Sequence, residues 1–117
     1  MIDDKAVELG RLLGQTDEYK ALKRAGDRLR EDADAQKQLA EVERLAVELE
    51  RAARAGRQPS PEEVEAYERA ASSIQAHPVY QSVVAAQANF EKLMTRVNER
   101  IYQGIQKGAA SPIITLS

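Results

Sequence analysis

Apolar residues recur every three or four positions along almost the whole chain, which is the period of amphipathic α-helices. Strong helix breakers interrupt this period at four places: Gly14-Gln15, Gly56 to Pro59, His77-Pro78 and Gly108. No segment shows the alternation of apolar and polar residues that is typical of β-strands. The pattern predicts an all-α fold in a single domain spanning residues 1–117. We expect an antiparallel bundle of about five helices, with two long helices and coiled-coil-like packing.

The first two predicted helices are short. One runs from about Asp3, which is positioned to cap it, to Leu13, and Thr16 caps a second helix from Asp17 to about Glu31. Their apolar faces consist of Ala6, Val7, Leu9, Gly10 and Leu13 in the first helix and of Tyr19, Leu22, Ala25 and Leu29 in the second.

The third predicted helix has the most regular pattern. Asp32 is positioned to cap it, it begins near Ala33, and Gly56 is expected to end it. Its apolar positions are separated by four and three residues in turn, as in the seam of a coiled coil. That seam consists of Ala35, Leu39, Val42, Ala46, Leu49 and Ala53, and Leu45 widens it.

Ser60, Pro61 and Glu63 mark the start of a fourth helix. Ser60 caps it, Pro61 takes the first helical position, and Glu63 completes a capping box. The helix is predicted to end near Ala76, and its buried positions are Val64, Tyr67, Ala71 and Ile74. Because the connection from Gly56 is short, we expect the third and fourth helices to be antiparallel neighbours.

The fifth predicted helix is the longest, from about Pro78 to Lys107, or roughly 45 Å. Its apolar face consists of Val79, Val83, Ala86, Phe90, Leu93, Val97, Ile101 and Ile105. The tail of residues 109–117 contains an apolar run from Pro112 to Leu116. We expect this tail to be flexible, the alternative being that it packs into a groove of a neighbouring subunit.

Two helices of about 35 and 45 Å are too long to wrap one compact core in so short a chain. Leaving the face of the fifth helix in water forfeits roughly 1.5–3 kcal/mol for each large side chain. We therefore predict a homo-oligomer, a dimer or higher, or pairing with a related chain. The predicted interface residues are Val83, Phe90, Leu93, Val97 and Ile101. The alternative is that the first two helices cover this face within one monomer.

Composition narrows the class of protein. The 117 residues include 17 Lys and Arg against 19 Asp and Glu, so a general affinity for nucleic acid is not expected. The absence of cysteine excludes disulfides and thiolate chemistry and suits a reducing compartment. No apolar run approaches a membrane span, and the residues from Met1 to Lys5 lack the features of a signal peptide. We expect a cytoplasmic protein without membrane insertion.

Candidate chemistry is sparse. His77, the single histidine, is either a general base or metal ligand or a residue that caps a helix junction, and we favour the junction role. Asp32 and Asp34 resemble part of a calcium loop but lack its central Gly and distal Glu, so capping explains them better. The sequence predicts no catalytic residue, no metal site and no cofactor.

A family resemblance emerges from residues Asp17 to Lys23 (DEYKALK), from Asp32 with Ala35-Gln36, and from His77-Pro78-Val79 ahead of the fifth-helix face. Together they resemble the YlbF/YmcA family of small bacterial regulators, from about Ala6 to Ile105. The resemblance implies an all-helical, cytoplasmic and oligomeric protein. Some members act as accessory factors of the membrane-bound ribonuclease Y and so affect competence, biofilm formation and sporulation. Other members hold iron–sulfur clusters through cysteines, a property that this cysteine-free chain does not share.

Two functional hypotheses follow. The first is a non-enzymatic regulatory adaptor that associates through helices, with an RNA-processing protein as a partner. The alternative is a nucleic-acid-binding module that contacts phosphates through basic stripes on the second and fifth helices. Interspersed acidic residues favour a solvated face for these stripes, which consist of Lys20, Lys23, Arg24 and Arg28 and of Lys92, Arg96, Arg100 and Lys107.

Overall fold

The computed structural model describes residues 1–110, which form five α-helices joined by short connections. The helices are α1 (Ile2–Gly14), α2 (Asp17–Glu31), α3 (Ala33–Arg54), α4 (Pro61–Gln75) and α5 (Pro78–Ala110). The predicted all-α fold with two long helices is confirmed. Helix α5 continues three residues past Lys107 to Ala110 and so includes the start of the predicted flexible tail. The remainder of that tail, residues 111–117, lies outside the described residues.

Side-chain caps begin three of the helices where the sequence predicts them. Thr16 accepts a hydrogen bond from the Tyr19 backbone at 3.1 Å, and Asp32 accepts one from the Ala35 backbone at 2.8 Å. Ser60 forms the predicted capping box that starts α4. The predicted Asp3 cap is wrong, because α1 begins one residue earlier and its N-cap, Met1, offers no side-chain hydrogen bond. Asp3 lies instead in the first turn, where its charge still favours the helix dipole.

Hydrogen bonds hold both ends of the connection between α3 and α4 in place. Gly56 adopts a positive φ of 73°, and the Arg57 backbone N–H donates to the Ala52 carbonyl at 2.9 Å, which closes a Schellman-type helix end. At the other end, the Ser60 backbone N–H donates to Glu63 at 3.1 Å. The Arg57 guanidinium also donates to Glu63, and together these bonds lower the pKa of the Glu63 carboxyl from 4.5 to about 2.

The helices pack as two antiparallel pairs that meet end to end. Helix α2 lies along α5, and α3 lies along α4 as predicted. The pairs meet at a central junction, where the α2–α3 connection lies beside the α4–α5 connection. The molecule measures 68 × 36 × 19 Å, and its radius of gyration is 22.0 Å, against about 13 Å for a compact domain of this length. The expectation that no single compact core forms is therefore confirmed.

The core is thin and built largely from alanine. The buried residues among those that the structure describes are Ala25, Ala35, Leu45, Ala52, Ile74 and Ala86. On α3 most of the predicted seam is packed: Ala35 is buried, as is Leu45, which was predicted to widen the seam. The seam members Leu39, Val42, Ala46 and Leu49 are half-buried. The prediction is wrong at the end of the helix, where Ala52 is buried and Ala53 is exposed. The spacing of apolar residues along α3 does not determine the side on which α4 packs. In this fold α4 approaches from the side of Leu45 and Ala52.

Candidate interaction surface

Helix α2 covers the first two-thirds of α5. The rings of Tyr19 and Phe90 pack edge to face, with centroids 5.7 Å apart and planes at 62°. Nearer the start of α2, Arg96 of α5 forms an ion pair with Glu18 at 3.8 Å. Because α2 begins at Asp17, its cover of α5 ends close to Arg96.

The five predicted interface residues are therefore covered unequally. Val83, Phe90, Leu93 and Val97 are half-buried, whereas Ile101 keeps 46% of its surface exposed. The first two helices thus cover part of this face within the chain, as the alternative interpretation held. They leave the end of α5 uncovered.

Helix α5 projects past α2 for 14 residues, from Val97 to Ala110, which is about 21 Å of helix. Large apolar side chains remain exposed on this segment. Tyr102 is 61% exposed and Ile105 is 59% exposed. Among residues 1–110, no other helix buries these side chains, so the end of α5 carries an exposed apolar surface.

Helix α1 contributes to the same surface, although sequence reasoning did not include it in the interface. None of its 13 residues is buried, and Ile2 is 83% exposed. Val7 was predicted to lie on the packed face, but it is 72% exposed. The reason is that α1 makes few contacts with the other helices, and only one side of α1 is in contact with them. Leu9 of α1 lines a groove of about 530 Å³ with Leu93, Val97 and Ile101 of α5. The spacing of Ile2, Ala6, Leu9 and Leu13 was the signal that marks this face of α1.

Acidic side chains form ion pairs with some of the residues in the two basic stripes. On α2, Lys23 lies 3.9 Å from Asp27, which also pairs with Arg30. On α5, Arg96 is engaged by Glu18, while Arg100 donates a hydrogen bond to the neutral side chain of Gln103 at 3.1 Å. Arg96 and Arg100 also line the groove between α1 and α5. The positive charge on α5 thus lies beside an apolar groove.

His77 connects the two helix pairs at the central junction. Its Nδ1 accepts a hydrogen bond from the Val79 backbone N–H at 3.2 Å, so His77 caps the start of α5 as predicted for a junction residue. Its Nε2 lies 3.2 Å from Asp34 and 3.7 Å from Asp32, at the start of α3. The ring is 12% exposed. Sequence reasoning did not foresee this meeting, because 43 residues separate His77 from Asp34.

The hydrogen bonds of the His77 cluster (His77, Asp32 and Asp34) define what it can do. Within residues 1–110 it is the one set of three histidine or carboxylate groups close enough to share a metal ion. However, a neutral imidazole whose Nδ1 accepts from a backbone N–H carries its proton on Nε2. Nε2 then donates to Asp34 and has no lone pair for a metal. The geometry describes a hydrogen-bonded link between α3 and α5 rather than a metal centre.

These observations define a small, elongated all-α protein built from two helix pairs, with an uncovered apolar surface at one end. No helix within residues 1–110 is both long enough and apolar enough to span a bilayer. Residues 2–106 match the family described as control of competence regulator ComK, YlbF/YmcA. The chain therefore belongs to the YlbF/YmcA family, and the family description indicates a regulatory role.

Relatives and solved structures agree with this family membership. A UPF0342 protein of Limosilactobacillus reuteri strain DSM 20016 is 25% identical over 105 residues, which is 90% of this chain and 85% of the relative. A UPF0342 protein of L. reuteri subsp. reuteri strain JCM 1112 matches equally well. The solved structure of a protein of unknown function (DUF964) from Bacillus stearothermophilus has the same fold. Its TM-score is 0.63 at 19% identity, and the match covers 95% of this chain and 97% of that one.

Proposed function

We propose that this protein is a non-enzymatic, cytoplasmic regulatory adaptor that acts by associating with another protein through the exposed face of α5. The observation that carries the proposal is the incomplete cover of that face. Phe90, Leu93 and Val97 are half-buried, and Ile101 is exposed, in a chain whose described residues include no fully buried large side chain. A protein with so little core gains stability when a partner covers such a face.

The family supports the regulatory part of the proposal. Its description names the control of a competence regulator, and neither that description nor the names of the relatives denote an enzyme. The His77 cluster supports the non-enzymatic part, because its groups are engaged in capping and linking helices. The resemblance to accessory factors of ribonuclease Y suggests an RNA-processing enzyme as the partner, through which the adaptor changes the decay of selected transcripts.

A substitution on α5 tests the proposal in the native cell. Ile101→Asp places a charge on the exposed face without removing a buried side chain, and Gln106→Asp places the same charge on the opposite side of the helix. We expect Ile101→Asp to reproduce the effect of deleting the gene on transcript decay and on the competence regulator. Gln106→Asp should behave like the unaltered protein.

A photo-crosslinking amino acid at position 97, on the apolar face of α5, identifies the partner in the same cells. The matched control carries the same amino acid at position 99. Position 97 should yield a crosslink to an RNA-processing protein that position 99 does not. If Ile101→Asp supports normal regulation and position 97 yields no partner-specific crosslink, the adaptor proposal is wrong. If the purified chain alone cleaves the affected transcripts, it is an enzyme and the proposal also fails.

A further inference from the structure

We infer that residues 111–117, which lie outside the described part of the chain, fold back along α5 of their own chain and cover its exposed end. The surface that they cover, here called the distal strip, consists of Val97, Ile101, Gly104 and Gly108. This inference rests on the proposed function, association through α5, and deepens it by naming a segment of the chain that competes with the partner for that helix.

One side of the end of α5 is open from its last turns to the groove beside α1. Gly104 and Gly108 follow Val97 by seven and eleven residues, so the three lie on one side of a helix with about 3.6 residues per turn. A Cβ at either glycine would meet no atom of residues 1–110 within 4 Å outside the backbone of α5 itself. Ile101, on the same side, lines the groove with Val97 and is 46% exposed. The distal strip therefore allows a second backbone to approach α5 closely.

Residues 111–117 differ in composition from the rest of the chain. Charged residues make up 31% of the whole sequence, but this segment (SPIITLS) contains none, and three of its seven residues are Ile or Leu. It can therefore lie against an apolar groove without burying a charge. Arg96 and Arg100 also line the groove, and their long side chains can keep the charged ends in water beside the segment.

The position of the apolar residues in the segment matches the length of the distal strip. Pro112 stands two residues after Ala110, the last residue of α5, and a proline does not continue a helix, so we expect the chain to turn there. From Ile113 to Leu116, four residues of extended chain span about 13 Å. That length corresponds to about nine residues of helix, which places Leu116 beside Ile101.

The order of residues in the segment gives it one consistently apolar side. In an extended chain successive side chains point to opposite sides, so Ile114 and Leu116 point in the same direction. Ile113 and Thr115 point in the other direction. When Ile114 and Leu116 face the distal strip, two large aliphatic side chains leave water together with the exposed surface of α5.

This cover is reversible, because the free energy that it gains and the entropy that it costs are comparable. Burial of two aliphatic side chains favours the closed arrangement, whereas ordering about five residues of backbone opposes it by a similar amount. A partner that buries a larger area on α5 therefore displaces the segment. Its apparent affinity is reduced in proportion to the fraction of molecules in which α5 is open.

Nuclear magnetic resonance on the purified, isotope-labelled chain tests the contact. A variant with Ile114→Asp and Leu116→Asp places charges on the side that would meet α5. The control, with Ile113→Asp and Thr115→Asp, places the same charges on the other side. We expect the first variant to shift the backbone amide signal of Ile101 and to accelerate solvent exchange of the amide at position 116. The control should leave both as they are in the unaltered chain.

A mixing experiment shows whose segment covers the distal strip. The labelled variant with Ile114→Asp and Leu116→Asp is mixed with an excess of the unlabelled, unaltered chain. If the segment acts within its own chain, the Ile101 signal of the labelled variant does not change in the mixture. A return of that signal towards its position in the unaltered chain means that another copy supplies the segment, and this result overturns the inference.

A substitution on α5 tests the close approach from the other side of the contact. Because the space beside Gly104 is open, Gly104→Glu fits the fold but fills the distal strip and should release the segment. Gln106→Glu adds the same side chain about 200° further around the helix and should leave the segment in place. The readout is again solvent exchange of the Leu116 amide, which only Gly104→Glu should accelerate. Circular dichroism establishes that both variants keep their helices.

Identical Ile101 signals in the unaltered chain and in the variant with Ile114→Asp and Leu116→Asp overturn the inference. In cells, the same variant should raise the yield of the partner crosslink at position 97 at least about twofold, because α5 is then always open. An unchanged yield overturns the competition with the partner. The resonance measurements use the purified chain alone, so they can fail while the regulatory adaptor of the preceding section is supported, and they can succeed where that adaptor fails.

Discussion

The aromatic ring of Tyr19 in α2 packs edge to face against Phe90 in α5, with a centroid separation of 5.7 Å. This contact fixes α2 along the middle of α5 and partly covers a residue that the sequence assigns to an interface between chains. The surface left for a partner therefore lies mostly beyond it, where α5 continues without α2. The pair thus separates the part of α5 that belongs to the subunit from the part available to another molecule.

The Tyr19–Phe90 pair should show measurable coupling. We expect Tyr19→Leu and Phe90→Leu to remove the aromatic contact while keeping apolar side chains at both positions. In a double-mutant cycle the coupling in the free energy of unfolding should be about 0.5–1.5 kcal/mol. Urea unfolding followed by circular dichroism at one fixed protein concentration measures it. Additive effects of the two substitutions would contradict a specific ring contact.

His77 should stabilise the protein through the cap of α5 and through its link to Asp34. Replacing His77 with alanine removes both, and loss of the cap alone should lower the free energy of unfolding by about 0.5–2 kcal/mol. Replacing His77 with asparagine, a good N-cap, should recover most of that loss but not the link to α3. Equal destabilisation by the two substitutions in urea unfolding would show that the cap contributes nothing.

Glu63 should make the stability of the protein depend on pH in acid. The hydrogen bonds from Arg57 and Ser60 lower its folded-state pKa from 4.5 to about 2. The ionised carboxylate therefore stabilises the fold fully above pH 4.5, and this contribution is lost as the pH falls towards 2. The difference in unfolding free energy between the unaltered chain and Glu63→Gln should shrink across that range.

The control for this measurement is Glu62→Gln, at the neighbouring position that takes no part in the capping box. It should leave the pH dependence of unfolding unchanged. Urea unfolding between pH 2 and 6 records all three proteins. A constant difference between the unaltered chain and Glu63→Gln across the acid range would show that the folded protein does not depress this pKa.

Two glycine substitutions should have opposite signs. Gly56 has a positive φ of 73° at the end of α3, so Gly56→Ala should cost about 1–2 kcal/mol. Gly26 lies inside α2, and a Cβ there would meet the flexible end of Arg30 at an ordinary distance of 3.6 Å. Gly26→Ala should stabilise the protein by up to about 1 kcal/mol. Thermal unfolding checks both, and a destabilising Gly26→Ala would contradict the packing described for α2.

Local signals in the chain fixed where most helices begin. Thr16, Asp32 and Ser60 each cap the helix that the sequence assigns to them, because an N-cap depends on a few consecutive residues. The exception is α1, which begins ahead of Asp3 and whose N-cap, Met1, forms no side-chain hydrogen bond. Helix ends are least certain where no strong side-chain cap is present.

The packing of those helices was predicted less completely. Spacing on α3 suggested a seam ending at Ala53, whereas α4 packs on the side of Ala52. The same limitation applies to the junction, where Asp34 and His77 meet although the sequence gives no local reason to pair them. Contacts between distant residues depend on the direction in which each helix leaves its turn, and no short sequence pattern encodes that direction.

The sequence by itself determined the five helices, most of their caps and the presence of a long apolar face on α5, because periodicity, turn residues and capping are local properties of the chain. Only the tertiary structure decided that α2 covers that face as far as Arg96 and that α1 joins the end of α5 in an open groove. Which part of an apolar face stays exposed depends on where each neighbouring helix begins and ends along it.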